Sequence, residues 1–336
     1  MGKHIKWFLS RPYRIGLMRC LTAGILIYGI EEAQAGWELA WSDDFSGNTI
    51  NTNNWTFDNG NGNGGWGNRE LEYYTSRAEN AYVSDGMLHI VARKETYEGQ
   101  YYTSAKLKTR GLFSQKYGRF EFYARLPQGK GYWPALWMMP EHAVYGGWAA
   151  SGEIDVMENK GADPEKIFGT IHFGGASPHN AHSHNPGFDF PSGDSAANFH
   201  LYAVEWTTNA ISWYVDSHLY ERQTNWWSSS NPDNPGDRNP YPAPFNQPFY
   251  IIMNLAVGGN FGGNPDDTTV FPGEMQIKYV RVYGRTDDAI IPANTASKAD
   301  QNSADHGATA SVRADSAAPT LQPANRSVPA RSLQFP

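Results

Sequence analysis

Three acidic residues lie close together in a segment that alternates between acidic and apolar side chains. Glu153, Asp155 and Glu158 belong to a run that reads Gly-Glu-Ile-Asp-Val-Met-Glu-Asn from residue 152 to 159. Alternation of this kind predicts a β-strand with one polar face and one face toward a core. Because side chains alternate along a strand, Glu153 and Asp155 should point the same way.

The third acid requires an irregularity in this strand. Glu158 follows Glu153 by five positions, so in a regular strand its side chain would point into the core. One extra residue near Val156 and Met157, a β-bulge, would return Glu158 to the acidic face. We therefore predict a bulged strand that presents three carboxyl groups in a row.

Three like charges on one face repel one another, which indicates a functional role rather than a stabilising one. Crowding separates the pKa values of neighbouring carboxyl groups, so one can stay protonated while another is ionised. Glycoside hydrolysis uses both states, because an acid protonates the leaving oxygen while a carboxylate attacks the sugar. A calcium-binding or merely solvated acidic strand is the alternative interpretation.

The spacing of the acids is compatible with a retaining mechanism. The Cα atoms of Glu153 and Glu158 should be ~13 Å apart at about 3.3 Å per residue, and two long side chains can close much of that gap. Retaining enzymes hold their two carboxyl groups about 5–5.5 Å apart. Spacing alone does not exclude Asp155 as one of the two reacting carboxyl groups.

The run from Trp148 to Asn159, Trp-Ala-Ala-Ser-Gly-Glu-Ile-Asp-Val-Met-Glu-Asn, resembles the active-site motif of glycoside hydrolase family 16. Its Glu-x-Asp-x-x-Glu form is the one seen in laminarinases, agarases and carrageenases, whereas the lichenase branch lacks the extra residue. The resemblance implies that Glu153 is the nucleophile and Glu158 the general acid/base. It further implies that Asp155 tunes the nucleophile.

Other segments resemble the same family. Asn68 lies in Gly-Trp-Gly-Asn-Arg-Glu-Leu-Glu-Tyr-Tyr-Thr, similar to a laminarinase signature whose Asn borders the non-reducing-side subsites; a plain turn residue is the alternative. Trp133 matches a Trp that forms the cleft floor, and Trp137 could serve either the core or the substrate. His172 matches a histidine near the leaving-group side. Trp148, with Trp133, is expected to be a platform for the sugar rings of a polymer.

Two possible metal sites are not favoured. His179, His182 and His184 lack a Cys or a closely placed carboxylate to complete a ligand set, so a solvated loop over the cleft is the better interpretation. In the family that the sequence resembles, many members hold calcium between the first and last strands. Here those positions are Asp44 and Lys278, and an ammonium group repels calcium. We therefore predict no metal ligands and no cofactor, with a Lys278–Asp44 ion pair instead.

Many short alternating segments with turn signals between them, and almost no helical periodicity, predict an all-β sandwich. The predicted strands include 104–110, 199–206, 211–216 and 248–257, the last a nearly continuous apolar run that should be buried on both faces. The resemblance covers about residues 37–284. It implies a concanavalin A-like β-jelly roll of two curved antiparallel sheets with a cleft on the concave face.

The two ends of the chain have different compositions. Residues 1–35 resemble a secretory signal, with a basic start, a short apolar run and Ala-Gln-Ala before Gly36. An uncleaved membrane anchor is the alternative. Residues 36–285 should form the catalytic domain, and residues 286–336, poor in large apolar side chains, should be disordered. We expect a monomer, secreted or periplasmic, with no stable membrane anchor after cleavage.

Composition narrows the function. The net charge of −7 argues against a nucleic-acid partner, and the single cysteine excludes an intrachain disulfide. The resemblance to glycoside hydrolase family 16 implies an endo-β-1,3-glucanase that hydrolyses β-glucan with retention. The alternatives are a hydrolase of mixed-linkage glucan or of a galactan such as agar or carrageenan, and a non-catalytic β-glucan-binding protein. Binding proteins on this fold typically lose the Glu residues that are present here.

Overall fold

The computed structural model describes residues 36–183 and 186–286. The predicted signal segment, residues 1–35, lies outside the described residues, as do His184 and all but the first residue of the predicted tail. Within the described ranges, no helix is both long enough and apolar enough to cross a lipid bilayer.

Eighteen β-strands account for most of the regular structure in the described residues. Helical conformation there is limited to the short helix α1 (Gly259–Gly262) and a helical turn at Gly65–Arg69. The strands are β1 (Trp37–Asp43), β2 (Thr56–Asp58), β3 (Glu72–Tyr74), β4 (Ala81–Ser84), β5 (Met87–Tyr97), β6 (Gln100–Ser104), β7 (Lys106–Lys108), β8 (Gly118–Arg125), β9 (Tyr132–Pro140), β10 (Glu153–Asn159), β11 (Lys166–Gly174), β12 (Asn180–His182), β13 (Phe188–Asp189), β14 (His200–Trp206), β15 (Ile211–Val215), β16 (His218–Gln223), β17 (Phe249–Val257) and β18 (Gly273–Arg285).

The strands form two sheets. The first, called the outer sheet here, has the order β16-β15-β14-β8-β18-β5-β6-β3, with β1 beside β18 and β4 beside β5. The second, called the cleft sheet, has the order β12-β11-β10-β9-β17-β7-β2, with β13 beside β11. Neighbouring strands run antiparallel except β3 and β6, which are parallel. The prediction of an all-β sandwich of two antiparallel sheets is confirmed.

Apolar side chains from both sheets fill the space between them. All nine residues of β17 are buried, and this strand lies between β9 and β7, as its continuous apolar sequence predicts. Trp206 and Trp213 of the outer sheet are fully buried in this core. Burying a large apolar side chain contributes about 1.5–3 kcal/mol, so the cleft sheet rests on a well-stabilised support.

The prediction of one strand over residues 104–110 is wrong. Strand β6 ends at Ser104 in the outer sheet, and β7 begins at Lys106 in the cleft sheet. The chain therefore changes sheets at Ala105, which is fully buried. Local alternation continues through this point, so the sequence pattern does not reveal the change of partner.

The prediction of an ion pair between Lys278 and Asp44 is also wrong. The Lys278 ammonium group lies 4.3 Å from the ring centroid of Phe199 and 5.2 Å from that of Tyr123. These are cation–π contacts, in which the ring faces attract the cation. Asp44 instead interacts with Ser46, whose hydrogen bonds lower the pKa of the Asp44 carboxyl group.

Candidate active site

The three acids lie on β10 at the centre of the cleft sheet, and the strand contains the predicted bulge. Against β11, Glu153 faces His172 and Asp155 faces Thr170, but the register shifts before Glu158. The register against β9 shifts between Asp155 and Met157. Val156 and Met157 are buried in the core, as the bulge requires if Glu158 is to return to the cleft. The predicted bulged strand is therefore confirmed.

A tryptophan from the opposite sheet supports this bulge. Trp213 on β15 donates a hydrogen bond from its Nε1 to the backbone carbonyl of Asp155, at 2.8 Å. Gly169 on β11 leaves room for the indole, since a Cβ atom there would lie 2.3 Å from the Trp213 ring. The core thus supplies a hydrogen-bond donor to a buried carbonyl beside the bulge. Without that donor, the buried carbonyl would destabilise the folded state.

Indole groups hold both outer acids. Trp148 Nε1 donates to Glu153 Oε2 at 2.7 Å, and Trp133 Nε1 donates to Glu158 Oε1 at 2.9 Å. His172 lies between the carboxyl groups of Asp155 and Glu153, with Nε2 3.2 Å from Asp155 Oδ2 and 3.7 Å from Glu153 Oε1. Each acid therefore has a different partner, which places the three carboxyl groups in different chemical environments.

These environments separate the protonation states. Burial raises the pKa of Glu158 to about 7, against the opposing effect of the Trp133 hydrogen bond. Burial also raises the pKa of Asp155, and the charges of Glu153 and Glu158 add to this effect. Burial by itself would lower the pKa of His172, but the neighbouring carboxylates raise it to about 9. Glu158 can therefore carry a proton near neutral pH, and His172 supplies a positive charge beside the acids.

A cleft of about 520 Å³ opens in front of the acids. It brings together six of the seven residues singled out in the sequence: Asn68, Trp133, Trp148, Glu153, Glu158 and His172. The seventh, Asp155, is buried and lines a narrower recess that continues from the cleft floor. The sequence did not decide whether Trp137 belongs to the core or contacts the substrate. In the structure its indole lines the cleft and donates a hydrogen bond from Nε1 to Asn254 Oδ1 at 2.7 Å.

The recess also contains charged residues that the sequence reasoning did not identify. Glu70 accepts hydrogen bonds from Asn68 Nδ2 at 3.2 Å and from the Tyr74 hydroxyl at 3.1 Å. The Lys106 ammonium group lies over the rings of Trp66 and Trp137, at 4.4 and 5.0 Å from their centroids, and burial lowers its pKa. The acidic and apolar alternation at Glu70-Leu71-Glu72 was an available signal for the acids. Lys106 had no comparable signal.

Glu72 is a further buried acid behind the recess. Its Oε2 accepts the backbone N–H of Val257 at 2.6 Å, whereas its Oε1 has no hydrogen-bond partner. Burial, reinforced by the charge of Glu70, raises the pKa of Glu72 well above its usual range. This group therefore resists ionisation in the folded protein.

The histidine loop differs from the expectation in part. Asn180–His182 forms the edge strand β12, in which His182 pairs with His172. The imidazole rings of His172 and His182 are 5.8 Å apart. In the portion of the chain that the structure describes, the group of side chains whose geometry could hold a metal ion is Glu153, Asp155 and His172.

Comparisons with known proteins find glucanases similar to this chain. The chain is 46% identical over 270 residues to glucan endo-1,3-beta-glucosidase A1 of Niallia circulans, covering 75% of this chain but only 39% of that relative. It is 45% identical over 256 residues to a beta-glucanase of Rhodothermus marinus, covering 74% of this chain and 85% of the relative. The solved laminarinase structure from Rhodothermus marinus matches with a TM-score of 0.65 and 43% identity, over 75% of this chain and 99% of that one.

The sequence profile of glycosyl hydrolases family 16 matches residues 68–281. This range includes the bulged strand β10, both indole donors to its acids and all the cleft residues named above except Trp66. The match covers more than half of the chain, and the relatives share the same fold. The protein belongs to glycosyl hydrolases family 16.

Proposed function

We propose that the protein is an endo-acting β-1,3-glucanase that hydrolyses β-glucan with retention of configuration at the anomeric carbon. The observation that carries this proposal is the set of three differently partnered carboxyl groups in one open cleft. The names of the relatives, which are glucanases and laminarinases, support the substrate class. A cleft lined by several tryptophans suits a polymer better than a small sugar.

In the proposed first step, Glu153 attacks the anomeric carbon while Glu158 protonates the departing glycosidic oxygen. The pKa of Glu158, about 7, supports this role because the acid must enter the reaction protonated. The Trp148 N–H stabilises the negative charge of Glu153 until it attacks. In the second step, Glu158 takes a proton from water, which then releases the sugar from Glu153.

Asp155 and His172 support this pair from behind. Asp155 is only 2% exposed, so it is placed to orient Glu153 rather than to contact the sugar. Its neighbour His172 offers a positive charge that limits repulsion among the acids. Trp133, Trp137 and Trp148 would stack on sugar rings, and Asn68 would hydrogen-bond to sugar hydroxyl groups.

The charges of the cleft favour a neutral glucan over a sulfated galactan. Four acidic side chains, at positions 70, 153, 155 and 158, line the cleft and its recess, together with two cationic ones, Lys106 and His172. A sulfate group needs cationic partners, and both cations here already face acidic side chains: His172 faces Asp155 and Glu153, and Lys106 faces Asp58. The non-catalytic alternative is not favoured either, because all three acids of β10 are present and hydrogen-bonded or ion-paired.

The test is the release of reducing sugar from laminarin, barley mixed-linkage glucan and agarose by the purified protein. We expect cleavage of laminarin that is lost in Glu153→Gln and falls by about 10²–10⁴-fold in Glu158→Gln. Proton NMR of the first product should show the β-anomer before mutarotation. Activity confined to another polymer would change the substrate, and tight laminarin binding without hydrolysis by the unmutated protein would favour a binding function.

We also propose that the protein is exported, that it is processed before Gly36, and that the mature form is a monomer. The basic and apolar pattern of residues 1–35 supports this proposal. The mass of the exported form should correspond to a chain that begins at Gly36, and light scattering should give the mass of one chain. A retained mass that includes residues 1–35 would favour a membrane anchor.

A further inference from the structure

Three potential metal ligands converge at the centre of the cleft, one from β11 and two from β10. One donor atom from each of Glu153, Asp155 and His172 lies within 4.8 Å of the other two. His172 Nε2 is 3.2 Å from Asp155 Oδ2 and 3.7 Å from Glu153 Oε1. The bulge and the pairing of β10 with β11 create this group, so it depends on the tertiary fold rather than on a local motif.

The two distances from His172 Nε2 are close to the separation between two ligands of a tetrahedral zinc ion. Ligand atoms bound at about 2.0–2.1 Å in a tetrahedral arrangement lie about 3.3–3.4 Å from one another. The two distances from His172 Nε2 bracket this value, and the oxygens of Glu153 and Asp155 lie within 4.8 Å of each other, so side-chain rotations would have to bring the three atoms to one ion. A fourth position would stay open toward the cleft, as in zinc sites with three protein ligands and one water.

The hydrogen bonds around the group leave these three atoms available. Trp148 donates to Oε2 of Glu153, so Oε1 faces His172. Asp155 Oδ2 is buried and lies within ion-pair distance of His172, but it receives no hydrogen bond of acceptable geometry. The cation that this buried oxygen faces is His172, so zinc would replace the proton on His172 Nε2 and bind the neutral imidazole between the same carboxyl groups.

The ligand types select the metal. One imidazole nitrogen and two carboxylate oxygens suit zinc and its transition-metal neighbours. Calcium requires six to eight oxygen ligands, which this group does not offer. Two carboxylate charges would balance the charge of Zn²⁺.

We propose that Glu153, Asp155 and His172 form a zinc-binding site that overlaps the catalytic centre, so that Zn²⁺ and β-glucan compete for it. Zinc bound to Glu153 Oε1 would occupy the proposed nucleophile and fill the cleft floor where the sugar must sit. The competition rests on the proposed function, whereas zinc binding itself does not. The prediction of no metal ligands did not consider this set, in which His172 lies seventeen or more positions beyond the two acids.

Zinc binding is tested first without substrate, by isothermal titration of the full-length, chelator-treated protein. We expect one equivalent of Zn²⁺ to bind and Ca²⁺ not to bind at this site. His172→Ala should weaken zinc binding by at least about tenfold, because it removes one of three ligands. His218→Ala is the matched control, since His218 is an exposed histidine on β16 outside the group, and it should leave zinc binding unchanged.

A second variant and a second measurement protect the test against misfolding. His172→Gln should weaken zinc binding in the same way, and near-UV circular dichroism would establish that both variants are folded. Zinc should raise the melting temperature of the unmutated protein and of His218→Ala but not of the His172 variants, because a ligand that binds the native state stabilises it. Equal zinc affinity with and without His172, or no binding to the folded protein, would overturn the proposal.

Competition is then measured with laminarin hydrolysis, where Zn²⁺ should raise the apparent KM and leave kcat unchanged. Inhibition that lowers kcat without changing KM would refute overlap with the substrate site. If the protein hydrolyses no glucan, the proposed function fails while the titration still decides whether zinc binds. The two failures are therefore distinguishable.

Discussion

At the scale of single residues, the chemistry of the cleft depends on which group donates to which carboxyl group. Glu153 and Glu158 are the same residue type on the same strand, but they have different donors. The exposed indole of Trp148 donates to Glu153, and the indole of Trp133 donates to Glu158. Burial raises the pKa of Glu158 to about 7, and the Trp133 hydrogen bond moderates that rise. The direction of each effect can be tested by removing one N–H group at a time.

The first prediction concerns the alkaline limb of the pH profile. In the proposed mechanism Glu158 acts as an acid, so kcat/KM should be maintained below its pKa of about 7 and should decline above it. Trp133→Phe removes a hydrogen bond that favours the ionised form, so it should move this limb upward by about one pH unit. A hydrogen bond to a charged group contributes about 1.5 kcal/mol or more, and one pKa unit corresponds to about 1.4 kcal/mol.

The control for this shift is Trp137→Phe, because the indole of Trp137 lines the same cleft but donates to Asn254. That variant should weaken substrate binding without moving the limb. The idea fails if both variants shift the profile equally, or if Trp133→Phe moves it to lower pH.

The second prediction concerns Glu72, whose pKa burial raises well above its usual range. Such a group favours the folded state fully below its unfolded pKa, near 4.5, and that stability is lost as the pH rises toward the folded value. Relative to Glu72→Gln, the unmutated protein should lose up to about 1.4 kcal/mol of unfolding free energy per pH unit across this window. Urea unfolding at pH 4, 6 and 8 measures the difference, and a constant difference would contradict it.

At the scale of secondary structure elements, the bulge in β10 is the feature on which the site depends. It places Val156 and Met157 in the core and returns Glu158 to the cleft. The indole of Trp213, admitted by Gly169, donates to the Asp155 carbonyl from the opposite sheet. Strand β10 is therefore held by both its own neighbours and the outer sheet.

The third prediction compares two fully buried tryptophans of the outer sheet. Trp213 donates to the carbonyl of Asp155, and Trp206 donates to that of Phe245. Phenylalanine at either position leaves a buried carbonyl without its donor, which should cost about 1–3 kcal/mol of stability. Only Trp213→Phe should also lower kcat, by about tenfold or more, because the carbonyl that loses its donor belongs to Asp155, which lies between Glu153 and Glu158 on β10. Equal kcat values in the two folded variants would show that the Trp213 hydrogen bond does not position the acids.

At the scale of the whole molecule, the sandwich assembles the cleft from distant parts of the chain. The turn around Asn68, strands β7, β9, β10 and β11, and helix α1 all contribute side chains. On the outer sheet, Lys278 lies over aromatic rings where the resembled family places a calcium ligand. The stability of this molecule should therefore come from packing between its sheets rather than from a bound calcium ion.

The fourth prediction is that calcium removal has little effect on stability. A Lys ammonium group cannot ligate calcium, so millimolar chelator should change the melting temperature by less than about 1 °C at neutral pH. Differential scanning calorimetry with and without added Ca²⁺ measures this. A decrease of several degrees on chelation, restored by Ca²⁺, would mean that the protein binds calcium in its native state.

The amino-acid sequence by itself determined the features that depend on short-range pattern. Alternation along β10 predicted the acidic face, and the odd spacing of Glu158 predicted the bulge, because side-chain direction in a strand has a period of two. The apolar run of β17 likewise predicted a strand buried on both faces. These inferences need only the residues of one strand.

Only the tertiary structure decided which distant residues meet. The change of sheet at Ala105 brings Lys106 into the recess, and the pairing of β10 with β11 sets His172 against Asp155. The predicted ion pair of Lys278 failed because the side chain found aromatic rings from β8 and from the segment before β14. Such contacts depend on sheet order and packing between sheets, which local alternation does not encode.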